Sequence, residues 1–232
     1  MSSSAEQKVS SGSGQVRPSS RNKRVEILAV ATEQFGHRGY EDTKWADVAG
    51  AVGVGSTALY HYFESKLHCL YVIMADAVEV LREDFDRIVA AEDGFVVGLN
   101  EVLRSAFELS EREVQANRVR VAEQGRIGER RKSPREEEAR QVARARIRDY
   151  EVVWATHLTR GMAQGLVPEA DPQLLTRAVL GLYNSVWHWY RPGGILGLDK
   201  VAEFYVPRHL ALIGLEPSAN GGPPAAARRL GR

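Results

Sequence analysis

Cysteine is nearly missing from this chain: Cys69 is the only one in 232 residues. A disulfide framework within the chain is therefore excluded, and a cytoplasmic setting is the expectation. Long apolar runs are missing as well. Nothing approaches the ~20 apolar residues of a membrane helix, so no membrane partner is expected. The opening MSSSAEQKVSSGSG has none of the apolar core of a secretory leader. Net charge is slight, since 31 Lys and Arg stand against 30 Asp and Glu. Bulk charge thus neither requires nor forbids nucleic acid, and that case has to be made locally. Enzyme signatures are missing too: there is no HExxH, no Gly-x-Ser-x-Gly and no P-loop. The glycines of Gly50–Gly55 follow a helix with the wrong spacing for a dinucleotide fingerprint. The six histidines are scattered without metal-ligand spacing, so no metal and no cofactor are expected. There is no internal repeat and no alternating strand pattern.

What is present is helical periodicity. Ile27, Leu28, Ala31 and Phe35 mark one helix face, capped by Ser19 or Ser20 and ended by Gly36 and Gly39. Trp45, Val48, Ala49 and Val52 mark a short second helix, closed by the Gly53-Val54-Gly55 turn. A third runs from Ser56 to Phe63. Leu67, Leu70, Tyr71, Met74, Val78, Leu81, Phe85 and Ile88 hold one stripe of a long helix to about Ala90. Further helices are expected over Phe95 to Ser110, Val114 to Gln124, Pro134 to Gln164, Asp171 to Trp189, and Asp199 to Leu212, the last interrupted by Pro207. Ser133-Pro134 and Asp171-Pro172 each combine a cap with a first-turn proline. The expected class is all-α. The expected organisation is a Ser/Gly-rich flexible arm over 1–20, a helical head over 21–68, a helical body over 69–214, and a flexible tail over 215–232.

The order medium helix, short helix, glycine turn, short helix, long helix is helix-turn-helix architecture. Leu59 and Phe63, four apart, supply an inner face for the second short helix. Ser56, Thr57, Tyr60, His61 and Tyr62 are polar or amphipathic and suited to a major groove, and Lys66 follows where an ammonium can meet a phosphate. Tyr62 and Tyr60 also admit a packing reading, and His61 an exposed position without contact. Cys69 reads as a buried, inert thiol.

The pattern Arg24-x-x-Ile27-Leu28…Phe35-x-x-x-Gly39-Tyr40…Thr43…Val48-Ala49…Gly53-Val54…Leu59-Tyr60-His61-Tyr62-Phe63-x-x-Lys66 resembles the N-terminal domain of the TetR family of transcriptional regulators. The resemblance implies a homodimer, a palindromic double-stranded DNA operator, and a small-molecule effector that lowers DNA affinity. The DNA-contacting candidates are Arg21, Thr43, Lys44, Ser56, Thr57, Tyr60, His61, Tyr62 and Lys66. Two features depart from the family pattern. Thr57 stands where a glycine or small residue is usual, and Lys44 displaces an apolar residue, with Trp45 next. Both fall on positions facing DNA, so the operator sequence does not carry over.

The body has one charge anomaly. Residues 112–148 hold twelve cations and six acids. Arg140, Arg144 and Arg148 form an i, i+4, i+8 row beside Ala139, Ala143, Ile147, Tyr150 and Trp154; it reads either as a solvated face or as the seat of an anionic ligand group. Tyr183, Asn184, Trp187, His188, Trp189, Tyr190 and Arg191 crowd one helix and its exit, which suits core, dimer interface or ligand cage. Arg191 also reads as a cation at a helix C-terminus. The ligand candidates are Phe107, Arg144, Arg148, Tyr150, Trp154, Tyr183, Asn184, Trp187, His188 and Arg191. Trp189 to Gly194 resembles a stretch of actinobacterial TetR-family regulators of steroid and lipid catabolism, some of which sense acyl-CoA thioesters; Leu180 and Asn184 depart from that group's pattern. The functional expectation is a ligand-responsive repressor, with an effector-free architectural or occlusion protein on the same fold as the alternative and an enzyme set aside. The last two long helices are expected to form the dimer contact.

Overall fold

A computed structural model describes residues 20–215. The expected arm and tail lie outside the described residues, apart from Ser20 and Leu215. Those two depart from expectation: Ser20 opens the first helix and Leu215 is buried in the body. Among the described residues all regular structure is helical. The elements are α1 (Ser20–Arg38), α2 (Trp45–Val52), α3 (Ser56–Tyr62), α4 (Lys66–Ala91), α5 (Phe95–Ser105), α6 (Glu111–Ala122), a 3-10 turn (Gln124–Gly128), α7 (Pro134–Ala163), α8 (Pro172–Trp189) and α9 (Leu198–Ile213).

The starts and stops follow from local chemistry. Gly53 ends α2 in the left-handed region at φ 72, and its N–H returns to the carbonyls of Ala49 and Gly50. Ser65 caps α4 by accepting the His68 N–H at 3.0 Å. Asp171 Oδ1 accepts the N–H groups of Gln173 and Leu174 at 2.8 and 3.0 Å, with Pro172 in the first turn of α8.

Two expected boundaries move. α5 stops at Ser105, not near Ser110, because Ser110 belongs to the next helix. Its hydroxyl accepts from the Glu113 N–H while its own N–H donates to Glu113 Oε2 at 2.7 Å, a capping box that starts α6 at Glu111. Gly36 does not end α1. It lies inside the helix, where a Cβ would run into the Gln115 side chain of α6, so its bareness lets α1 and α6 close together.

Two apolar cores result. The head core gathers Ile27, Ala31, Phe35, Val48, Leu59, Phe63 and the α4 residues Cys69, Leu70, Tyr71, Ile73, Met74 and Ala75. The body core takes α4 from Val78 to Ile88 with α5 to α9. At 26 residues, α4 is ~39 Å long and runs through both. The head core therefore runs on past residue 68 to Ala75. It is also closed from the body side, by Val119 of α6 and by Ala139 and Ala143 of α7. No helix among the described residues is long and apolar enough to cross a membrane.

Candidate nucleic-acid interface and effector cavity

α3 is two-sided. Leu59 and the following Phe63 are fully buried, with Phe63 edge-on to Trp45 and under the Arg24 guanidinium at 4.8 Å. Ser56, Thr57, Tyr60 and His61 are exposed on the other side, and Tyr60 keeps 51 % of its surface. Exposing an aromatic ring while a leucine beside it is fully buried fixes which way this helix faces. Tyr62 is half-buried and packs on the head core with the rest of its surface exposed. Arg21 and Lys44 are exposed at the starts of α1 and α2.

Thr43 and Lys66 have other duties. Thr43 is buried, and its hydroxyl donates to the Gly39 carbonyl at 2.8 Å and to that of Gln34 at 3.2 Å. The Lys66 ammonium donates to the carbonyls of Tyr40 and Thr43 at 2.7 and 2.9 Å and to that of Glu41 at 3.4 Å, and it lies 4.2 Å from the Tyr40 ring centroid. With all three N–H groups engaged, it locks the α1–α2 turn onto α4 instead of waiting for a phosphate. Below that turn, Arg126 pairs with both Glu41 and Glu123. Behind α3, Ser133 donates to Glu64 Oε2 at 2.6 Å and Ser65 donates to Glu136, tying the α3–α4 turn to the start of α7.

In the body, Phe107, Tyr150, Trp154, Tyr183 and Trp187 are all buried in one cluster. The rings of Phe107 and Tyr183 lie 5.5 Å apart, and those of Tyr183 and Trp187 5.4 Å. Tyr183 donates its hydroxyl to the Ala106 carbonyl at 3.1 Å. Burial raises the pKa of Tyr183 and pushes that of Tyr150 up to about 12, so both stay phenols. Most of this aromatic set is thus core.

The expected cationic row does not form. Arg140 is only 3 % exposed and pairs bidentately with Glu137 at 2.8 and 2.6 Å, so its charge is neutralised one turn away. Arg144 and Arg148 are exposed and do not line the cavity beside Tyr150. Nor do the other candidates share one pocket. Tyr150, Tyr183 and Asn184 line a chamber of about 120 Å³ inside the body. Trp187, His188 and Arg191 line a separate cleft of about 310 Å³ between the body and the end of α1. Arg191 donates to the carbonyls of His188 and Tyr190 at 3.2 and 3.0 Å and so covers the C-terminus of α8.

The body chamber has a residue that the sequence candidates lack. Arg120 of α6 is 8 % exposed and has no carboxylate within ion-pair distance among the described residues. Its Nε and Nη2 donate to Asn117 Oδ1 at 3.4 and 3.3 Å, and Nη2 donates to Asn184 Oδ1 at 2.8 Å. A buried guanidinium held only by neutral amides carries several kcal/mol of uncompensated desolvation. The signal was available: Arg120 lies between Val119 and Val121 and three residues after Asn117, on a helix whose other arginines are less buried. No group of His, Cys, Asp and Glu suited to a metal occurs among the described residues.

Two family models match this architecture. Residues 27–70 match the description "Bacterial regulatory proteins, tetR family", and residues 120–213 match "Tetracyclin repressor-like, C-terminal domain". The chain belongs to the TetR family. It is a DNA-binding transcriptional regulator, and its family is one of regulators, not enzymes. Among its relatives is the HTH-type transcriptional repressor KstR2 of Mycolicibacterium smegmatis, 26 % identical over 194 residues, covering 82 % of this chain and 89 % of the relative. The structure of the ketosteroid transcriptional regulator KstR2 of Mycobacterium tuberculosis superposes with a TM-score of 0.66 at 25 % identity, covering 87 % of this chain and 98 % of that one. The TetR-family regulator PfmR of Thermus thermophilus gives a TM-score of 0.65 at 29 % identity, covering 82 % and 99 % of the two chains.

Proposed function

We propose that this TetR-family regulator is a homodimeric repressor released from a palindromic operator by a small, largely apolar effector with an anionic end, of the acyl-CoA or lipid and steroid acid class. The observation that carries the reading is the continuity of α4. One end lies in the head core behind the exposed row of α3, and Val78 and Leu81 further along it form part of the wall of the body chamber. A ligand that displaces those two residues moves the helix on which α3 is mounted. A dimer reads half-sites about 34–36 Å apart, so a few ångströms of spreading prevents both copies from docking at once. A 100-fold preference of the effector for the released state supplies about 2.7 kcal/mol per site. The repressor sign and the steroid part of the effector class draw on the KstR2 relatives, a transcriptional repressor and a ketosteroid regulator by name.

In this reading Ser56, Thr57, Tyr60 and His61 meet base edges and phosphates, and Arg21 and Lys44 meet phosphates. Dimerisation uses α8 and α9, which leave Leu174, Trp189, Phe204 and Leu212 exposed on a single copy. The test is operator release, titrated with acyl-CoAs, free fatty and steroid acids, and neutral analogues. The chamber of about 120 Å³ is by itself below the ~300 Å³ at which small-molecule sites begin, whereas the cleft of about 310 Å³ at Trp187 reaches that size. If no member of those series shifts operator affinity, the effector-free occlusion reading takes over.

A further inference from the structure

The chamber beside Arg120 holds one cation and one acid that do not pair with each other. Its apolar wall comes from Val78, Leu81, Ile147 and Leu180, and its charged groups are Arg120 and Glu151. Glu151 makes no ion pair with Arg120. The guanidinium is nonetheless held in place. Asn117 and Asn184 hold its Nε and Nη2 from one side, and Asn117 is itself fixed by donating to the Glu113 carbonyl at 3.1 Å. Nη1 makes no hydrogen bond among the described residues. An oriented, buried cation with neutral partners and a free N–H edge is a half-built ion pair.

We infer that this chamber is a carboxylate-binding site, in which Arg120 pairs with the acid group of a short aliphatic chain lying against Val78, Leu81, Ile147 and Leu180. A volume of about 120 Å³ is well below the ~300 Å³ at which sites for drug-sized ligands begin, which suits a carboxylate and a short chain better than a steroid nucleus. A phosphate dianion would call for a second cation, and no other Lys or Arg lines the chamber. The acid is either a free short-chain acid or the acid terminus of a longer effector whose remainder lies outside. This inference deepens the effector reading above and rests on the body being a ligand-binding domain.

Calorimetric titration of the full chain with butyrate, against butyramide as the neutral isostere, tests it directly and without DNA. Saturable butyrate binding is expected, with butyramide at least about tenfold weaker. Arg120→Met is expected to abolish the difference between the two. Without any acid it should melt no lower than the parent, since it removes an unpaired buried charge. If Arg120→Met fails to fold, Leu180→Trp fills the chamber while keeping the cation, and butyrate binding should be lost. Glutaryl-CoA against butyryl-CoA separates the two sources. Tighter binding of glutaryl-CoA that depends on Arg120 assigns the acid to a longer effector; butyrate binding alone assigns a free acid. Equal binding of butyrate and butyramide, or no binding of butyrate and glutaryl-CoA, overturns the inference. CoA thioesters that bind alike and ignore Arg120→Met overturn it while leaving the effector reading intact.

Discussion

The Lys66 ammonium sits 2.7 Å from the Tyr40 carbonyl oxygen and 4.2 Å from the centroid of the same residue's ring. One cation thus holds the backbone and the side chain of the turn that leads into α2. Lys66→Met should therefore act on stability: unfolding free energy falls by roughly 1–3 kcal/mol, through orphaned carbonyls and a lost cation–π contact. The slope of log affinity against log salt should stay unchanged. Chemical denaturation and fluorescence anisotropy on operator DNA measure the two quantities separately.

Tyr60 should give the opposite result. It is exposed and packs on nothing in the head core, so Tyr60→Ala should shift stability by no more than about 0.5 kcal/mol. Operator affinity should fall by roughly 1–3 kcal/mol if its hydroxyl or ring meets a base edge. Lys44→Ala should weaken binding alike on specific and unrelated DNA and reduce the salt slope by about one. Anisotropy titrations across a salt series report both.

Gly36→Ala places a methyl where the Gln115 side chain already stands. Overpacking of this kind costs about 1–3 kcal/mol. The double substitution Gly36→Ala with Gln115→Ala should recover part of that loss, because the atoms nearest the added methyl all belong to Gln115. Recovery in urea melts would confirm that α1 and α6 meet at this point; strict additivity would refute it.

Three histidines lower the stability of the fold as the pH falls just below neutrality, ahead of Glu79 and Glu137, whose pKa values are lowered by hydrogen bonds from Arg82 and Arg140. Burial lowers the pKa of His157 and His209, and burial with the neighbouring Arg135 and Arg24 lowers that of His68. Below the ordinary histidine value of about 6.5 the unfolded chain takes up protons that the folded chain refuses, so stability is full above that pH and falls as the pH drops through it. His157 stacks on Phe95 at 4.7 Å, and its Nε2 is buried without a partner. His157→Phe should leave stability at pH 7.5 unchanged or higher and make the loss between about pH 6.5 and 5.5 shallower. Thermal melts over that range show the change in slope.

The dimer contact is best probed by surface charge. Removing α9 also removes Val201, Val206 and Ile213 from the body core, so truncation tests folding more than association. Phe204→Glu and Trp189→Glu change residues that are exposed on the single copy. They should yield soluble monomers in light scattering if α8 and α9 face the second copy.

The head was legible because its residues answer to local rules. The α3 stripe, the Gly53 turn and, in the body, the caps at Ser133 and Asp171 are short-range patterns, and the structure places each as expected. Even the shifted start of α6 was written as Ser110-x-x-Glu113, a capping box passed over in favour of the apolar residues beyond it. Lys66 and Arg140 were harder. A cation at a helix start and a cation in a like-charge row look available in one dimension, and their engagement depends on carbonyls 23 to 26 residues away or on a bidentate partner three residues back. Arg120 was hidden by its company. Counted with eleven other cations it reads as surface charge, and only the packing of α6 against α8 sets it apart as a buried guanidinium beside Asn184.

The floor of the head core is made of Val119, Ala139 and Ala143, which belong to α6 and α7. The DNA-reading unit is therefore not a detachable module. A chimera that joins residues 20–75 to a foreign body exposes Cys69, Leu70 and Ile73 unless the new body offers small residues at matching positions. Exchanging specificity between such regulators is better done by replacing the outward row of α3, Ser56, Thr57, Tyr60 and His61, because those side chains are the part of the head that no other helix has shaped itself around.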